Sequence, residues 1–197
     1  MTVKQTDRAQ ITAFGARGRE LFDQIEAQTL SLVEQIAGVN YEGQNAFEFK
    51  TNSTTYAVTF ANTTGDNMRN IAQTITEATT YIATALGGAA ISLEPPVVAV
   101  TAPAINADTS VETAEDGPLI ALRDSVEATF ANIESGFAEN LGNFQNLGAD
   151  GWIGPEYDAA LADVQLITTK ASEDIQQART TIAQAITNQL QAVGLGG

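Results

Sequence analysis

The chain of 197 residues contains no histidine and no cysteine, and these two absences remove whole classes of chemistry. A Ser-His-Asp or Cys-His nucleophile cannot be assembled, thiolate chemistry and disulfides are impossible, and a transition-metal site would have to be built from carboxylates alone. Positive charge is also scarce, with 9 Lys and Arg against 24 Asp and Glu and a formal net charge of -15. Such a surface repels phosphate backbones, so nucleic acid is not an expected partner. No run approaches the roughly 20 apolar residues of a membrane span. The first twenty residues are polar and carry no apolar h-region, so no cleaved secretory signal is expected. What chemistry remains rests on Asp, Glu and Tyr. Glu112, Glu115 and Asp116 lack the ordered spacing of a calcium loop and read as a solvated linker. The expectation is a non-enzymatic protein with no cofactor and no metal.

Apolar residues make up 44% of the chain, ample for a packed core. From residue 5 to 38 they fall at Ile11, Phe14, Leu21, Ile25, Leu32 and Ile36, steps of three, four and seven that lay one stripe along a helix ending at Gly38. Beyond Tyr41-Glu42-Gly43 the pattern supports two readings. Phe47, Phe49 and Thr51 followed by Tyr56, Val58 and Phe60 alternate as a Thr-rich β-hairpin. Phe49, Tyr56, Phe60, Met68, Ile71, Ile75, Ile82 and Leu86 instead make one long helical stripe. Residues 89–117 change character, with Pro95-Pro96, Pro103 and small, β-branched and acidic residues, and read as an extended linker. Pro118 suits a first helical turn. The third stripe then follows at Leu119, Leu122, Val126, Phe130, Ile133, Phe137, Leu141, Phe144 and Leu147. A breaker-rich turn, Gly148 to Pro155, leads into the fourth at Tyr157, Leu161, Val164, Ile175, Ile182, Ile186, Leu190 and Val193, before the chain runs out in Gly194 to Gly197.

One offset of 111 residues aligns the two halves without a gap. It carries Tyr41 onto Trp152 and Gly43 onto Gly154, and it sets Ile71-Ala72-Gln73-Thr74-Ile75-Thr76 on Ile182-Ala183-Gln184-Ala185-Ile186-Thr187 with a single mismatch. It also superposes Ile11 on Leu122, Phe22 on Ile133, Leu30 on Leu141, Val33 on Phe144 and Ile36 on Leu147. The repeat favours a helix for residues 45–66, because the equivalent stretch 156–177 has no strand character. The domain plan is therefore a first helical hairpin over 1–88, a linker over 89–117 and a second hairpin over 118–197.

Two long helices joined by a short turn with Trp-x-Gly resemble the WXG family of small helical hairpins, the ESAT-like proteins exported by type VII secretion systems in actinobacteria and other Gram-positive bacteria. Trp152-Ile153-Gly154 matches the motif outright, and Tyr41-Glu42-Gly43 matches it with Tyr for Trp. The resemblance implies two antiparallel hairpins packed as an intramolecular antiparallel four-helix bundle, a dimer fused through its linker. Antiparallel docking requires the linker to travel the bundle, about 60 Å for a helix of about 40 residues. About 29 extended residues reach about 90 Å, enough to do so. Physically, the glycine of each turn supplies backbone freedom in a cramped reversal and the aromatic seals the hairpin end. The candidate site residues are therefore Tyr41, Gly43, Trp152 and Gly154.

The function the resemblance implies is that of an export partner, effector scaffold or adaptor, binding secretion machinery or other WXG-type proteins as a monomer with a pseudo-dimeric fold. The family's export signal, a Tyr followed four positions on by Asp or Glu, is not matched, since Tyr41, Tyr56, Tyr81 and Tyr157 meet Asn45, Phe60, Ala85 and Leu161. Secretion without a cleaved signal then requires a partner to bring that signal, and the other expectation is a cytoplasmic protein. Long helices rich in Thr and Ala also suit a structural subunit of a phage or filamentous assembly, which is the competing reading.

Overall fold

The computed structural model describes residues 5–86, 90–91, 93, 99–111 and 115–194. Pro95-Pro96, Glu112 and the terminal Leu195-Gly196-Gly197 lie outside the described residues. Among the described residues the fold is all-helical in its main elements, with four helices packing against one another. In chain order they are a two-residue strand β1 (Gln5–Thr6), α1 (Arg8–Ala37), α2 (Gln44–Leu86), α3 (Gly117–Asp150), a two-residue strand β2 (Trp152–Ile153) and α4 (Pro155–Ala192). Among the described residues no helix is long and apolar enough to cross a membrane.

Each helix start has a local cause. Asp7 caps α1, its carboxylate accepting the Ala9 and Gln10 amides at 2.8 and 3.1 Å. The Asp116 carbonyl opens α3 by accepting Ile120 N–H, with Pro118 in the first turn where its missing N–H costs nothing. The second helix of each half begins instead on a glycine: the Gly43 carbonyl accepts Phe47 N–H, and the Gly154 carbonyl accepts Tyr157 and Asp158 N–H.

The stretch that alternates like a β-hairpin is helical throughout, inside α2. Within it Thr55, Thr59 and Thr63 each turn a hydroxyl back onto the carbonyl four residues earlier, at 2.8 to 3.0 Å, so these β-branched residues satisfy their hydroxyls inside the helix. Phe49 and Phe60 then fall on the buried face with Met68, Ile71 and Ile75. Four details differ from the pattern in the sequence. Residues 5–6 pair as a strand and α1 starts at Arg8. α3 continues through Gly148 and Ala149 to Asp150. Leu30 and Leu86 are exposed, whereas Tyr56, Leu141, Leu161 and Val193 are only half-buried. Finally, Gly38 follows the last residue of α1 without adopting a left-handed conformation, which is found at Gly43.

The chain forms two compact units, and each helix contributes a stretch to both. The first comprises Met1–Glu26, Thr64–Val97 and Glu134–Glu173. Its core holds Phe14, Leu21, Phe22, Ile25, Ile71, Ile75, Phe137, Phe144, Trp152 and Val164, each worth roughly 1.5–3 kcal/mol on burial. Along α1 and α3 the contacts pair Phe14 with Phe144, Arg17 with Glu139 and Ile25 with Gly136, so that the partner moves back as the α1 residue moves forward. Ile91 and Leu93 dock on the α1 notch formed by Gly15 and Gly18, where a Cβ on Gly18 would lie 2.8 Å from Leu93. The amides of Ile91 and Leu93 donate to the Thr79 and Thr76 hydroxyls at 3.4 Å. Two mid-helix glycines, each costing about 1 kcal/mol against alanine, are thereby explained.

The second unit comprises Ala27–Thr63, Val98–Ile133 and Asp174–Gly197. Leu32, Ile36, Tyr41, Phe49, Phe60, Leu119, Phe130, Ile133, Ile175, Ile182 and Ile186 form its core. On α1 and α3, Gln28 meets Asn132 and Gln35 meets Thr129, again in opposite order. Residues 99–108 run as an extended strap along α2 in the reverse direction. Asn62 bonds both the amide and the carbonyl of Val100, Lys50 donates to Asn106, and the turn after α1 holds Asp108. Twelve helical residues between Asn62 and Lys50 rise about 18 Å, and six extended residues between Val100 and Asn106 cover about 20 Å, so the strap is nearly straight.

Candidate functional site: two aromatic-glycine turns

The candidate residues occupy two turns of the same construction, one in each unit. Gly43 has φ 114° and Gly154 has φ 151°, values that side chains resist, and each sits immediately before the helix it caps. Two residues earlier, Tyr41 and Trp152 are both buried, at 3% and 0% exposure. The residue between them, Glu42 or Ile153, reaches a peptide segment that leads toward the first helix of the other half.

At the Trp turn that segment is β1. Thr6 pairs with Trp152 and Gln5 with Ile153 in an antiparallel bridge, and Asp7 N–H donates to the Gly151 carbonyl at 2.6 Å. Below the bridge lies an aromatic cluster. Trp152 meets Phe144 edge-on at 6.0 Å and Tyr157 at 5.6 Å, while Phe144 meets Tyr157 at 5.3 Å and Phe14 at 5.4 Å. Such pairs each add about 0.5–1.5 kcal/mol beyond area burial. The Tyr157 hydroxyl donates to the carbonyls of Phe144 and Gln145 at 3.0 and 3.2 Å. Burial pushes its pKa above the usual tyrosine value. Its ring lies against the Gly148 backbone so closely that a Cβ there would overlap it. Among the described residues the buried Trp152 indole N–H meets no hydrogen-bond partner, and the ring contacts the Phe144 and Tyr157 rings.

At the Tyr turn the segment is the strap. Gly43 N–H donates to the Asp108 carbonyl at 3.0 Å, and Asp108 N–H donates to the Glu42 carboxylate. The Asp108 carboxylate in turn accepts the Ser110 hydroxyl and amide, which hold its pKa below the ordinary value. The Tyr41 hydroxyl donates to Gln189 at 3.3 Å. Lys50, 2% exposed, donates to the Asn106 carbonyl at 3.1 Å beside an open recess of about 410 Å³ that Glu34, Glu42 and Pro103 also line.

Each turn thus buries its aromatic ring and places a positive-φ glycine directly before the next helix. Among the described residues no group of three His, Cys, Asp or Glu is placed to hold a metal. Glu115 is exposed, and Asp116 serves as a helix start. The sequence pointed to Tyr41, Gly43, Trp152 and Gly154 but not to their neighbours Tyr157, Phe14, Glu42 and Lys50. A signal for the first was present. At the 111-residue offset Tyr157 and Gly148 fall on Ala46 and Ala37, so the half with a large ring has a glycine to receive it, and the half with a methyl has none. No protein family, curated protein or solved structure matches the chain.

Proposed function

We propose that the chain is a non-enzymatic helical binding protein of the WXG kind, a covalently fused hairpin dimer that serves as export partner, effector scaffold or adaptor of a type VII secretion system. One observation carries the reading. Both aromatic-x-Gly turns, 111 residues apart, share a buried aromatic, a positive-φ glycine and a helix that starts on that glycine. Two unrelated turns have no reason to agree in all three.

In this reading each half is a helical hairpin and the two pack as an antiparallel four-helix bundle. Support comes from the opposed order of the α1 and α3 contacts in both units, and from the Arg179–Glu127 and Tyr157–Phe144 pairs that join α4 to α3. The strap running back along α2 supports it too, since a linker between antiparallel hairpins has that path to travel. With the turn aromatics buried and the hairpin faces packed on each other, partners would meet the outer helix faces, where Leu166 is 70% exposed and Tyr81 56%.

The test is export. A tagged chain expressed in a Gram-positive host with a type VII system, together with that system's own small substrates, is expected in the medium when the secretion ATPase is intact and in the cell pellet when it is deleted. Equal retention in both strains contradicts the proposal, and rings or tubes under the electron microscope favour an assembly subunit.

A further inference from the structure

We infer that the two halves recognise each other and not themselves: the face each presents to the other is built for a different partner, and the chain closes a heterospecific interface in cis. The inference rests on the fused-dimer reading above. In a duplication docked on itself, a contact between residue i of the first half and residue j of the second has a counterpart between j − 111 and i + 111. If the halves were interchangeable, contact and counterpart would match in chemistry.

They do not match. Phe60 packs on Phe130 with ring centroids 5.4 Å apart, and the counterpart positions are held by Ala171 and Arg19, which have no such pair of rings to offer. The Arg17–Glu139 ion pair at 2.6 Å has the counterpart Ala128 with Gln28. Most telling is Ile25 with Gly136, because Gly136 is itself the equivalent of Ile25. This contact is its own counterpart, and a Cβ on Gly136 would lie 2.7 Å from Ile25. One side chain fills a space that symmetry would offer to two.

A self-pair of first halves would therefore set Ile25 against Ile25 in room for one, and Phe60 against Arg19. A self-pair of second halves would leave a void between two glycines at position 136, set Phe130 over Ala171 and strand Glu139 beside Ala128. Overpacking, cavity and a lost charge partner all act against self-pairing, while the mixed pair avoids each of them. The first half thus accepts a hairpin with a glycine opposite Ile25, an acid opposite Arg17 and an aromatic opposite Phe60. A partner lacking these features is turned away, so binding partners of the whole chain dock elsewhere.

Two experiments on the full chain test this. First, a protease site is inserted after the exposed Val111, the folded protein is cut, and two mass-labelled preparations are unfolded, mixed and refolded for native mass spectrometry. Every recovered pair is expected to contain one first half and one second half. Self-pairs at comparable abundance overturn the inference but leave the fused dimer standing, whereas halves that separate as folded monomers overturn the fused dimer and the inference with it. Second, Ile25→Gly and Gly136→Ile are each expected to lower Tm by roughly 5 °C. The exchange of both should recover at least half of the summed loss, because the isoleucine returns to the same space from the other side. Losses that simply add show that the two positions do not share it.

Discussion

The Trp turn and the Tyr turn reach the same backbone shape with different side chains. At the Trp turn the packing is apolar, a four-ring cluster of Phe14, Phe144, Trp152 and Tyr157, and β1 pairs with the backbone of Trp152 and Ile153. At the Tyr turn the equivalents of Phe144 and Tyr157 are Val33 and Ala46, and closure comes from polar bonds to the strap through Glu42, Gly43 and Lys50. What the two keep in common is what geometry demands: a glycine that tolerates positive φ, and a large ring behind it. What differs is how the space around the ring is filled. Backbone requirements thus hold both turns to one construction, while packing leaves the neighbours free to differ as long as volumes balance.

The sharpest way to break the comparison is to remove each ring. Trp152→Ala is expected to cost about 3–5 kcal/mol in urea unfolding. Tyr41→Ala should cost less, because Trp152 forfeits its contacts with the Phe144 and Tyr157 rings, worth about 0.5–1.5 kcal/mol each, as well as a larger buried ring. Equal losses would show that the cluster adds nothing. As the chain's single tryptophan, Trp152 also reports its own burial, with blue-shifted emission expected in the native state and a red shift on unfolding.

The glycines should behave alike. Gly43→Ala and Gly154→Ala each place a side chain in a conformation that costs about 1–3 kcal/mol, and a large difference between them argues against a shared construction. Gly148→Ala drives a methyl into the Tyr157 ring and is expected to cost about 1–3 kcal/mol. Adding Tyr157→Ala, which recreates the Ala37 and Ala46 arrangement of the first half, should remove the Gly148→Ala penalty. Additive losses in that double variant would mean the ring and the glycine are independent.

The smallest effect is one of pH. The native Tyr157 phenol has a raised pKa, so it holds its proton where the unfolded chain has begun to lose it. Its contribution is whole below the unfolded pKa of about 10 and falls as pH rises through that value toward the native one. Wild type should lose stability faster than Tyr157→Phe above about pH 10, and parallel curves would contradict the assignment.

Most of the helical frame was legible in the sequence, because the stripes of α1, α3 and α4 follow a clean period and their residues are buried. For Phe49 to Phe60 the local pattern supported both a hairpin and a helix, and the decision for helix came from the repeat. The structure adds the mechanism, in which threonine hydroxyls bond back along α2. Three features were not legible. β1 is two polar residues with no period, set by the backbone groups of the Trp turn. Gly148-Ala149-Asp150-Gly151 reads as a breaker, yet Gly148 is present to admit a ring and the helix passes through it. Lys50 is buried and donates to the Asn106 carbonyl of the strap, a tertiary contact that no local pattern around residue 50 records.

One chain is proposed to supply both halves of a hairpin pair and to work by binding. Sedimentation equilibrium at micromolar concentration tests it most directly. If the fused-dimer proposal holds, a single species at the 20.7 kDa mass of one chain is expected. A stable dimer, or a ladder of larger assemblies, would contradict it.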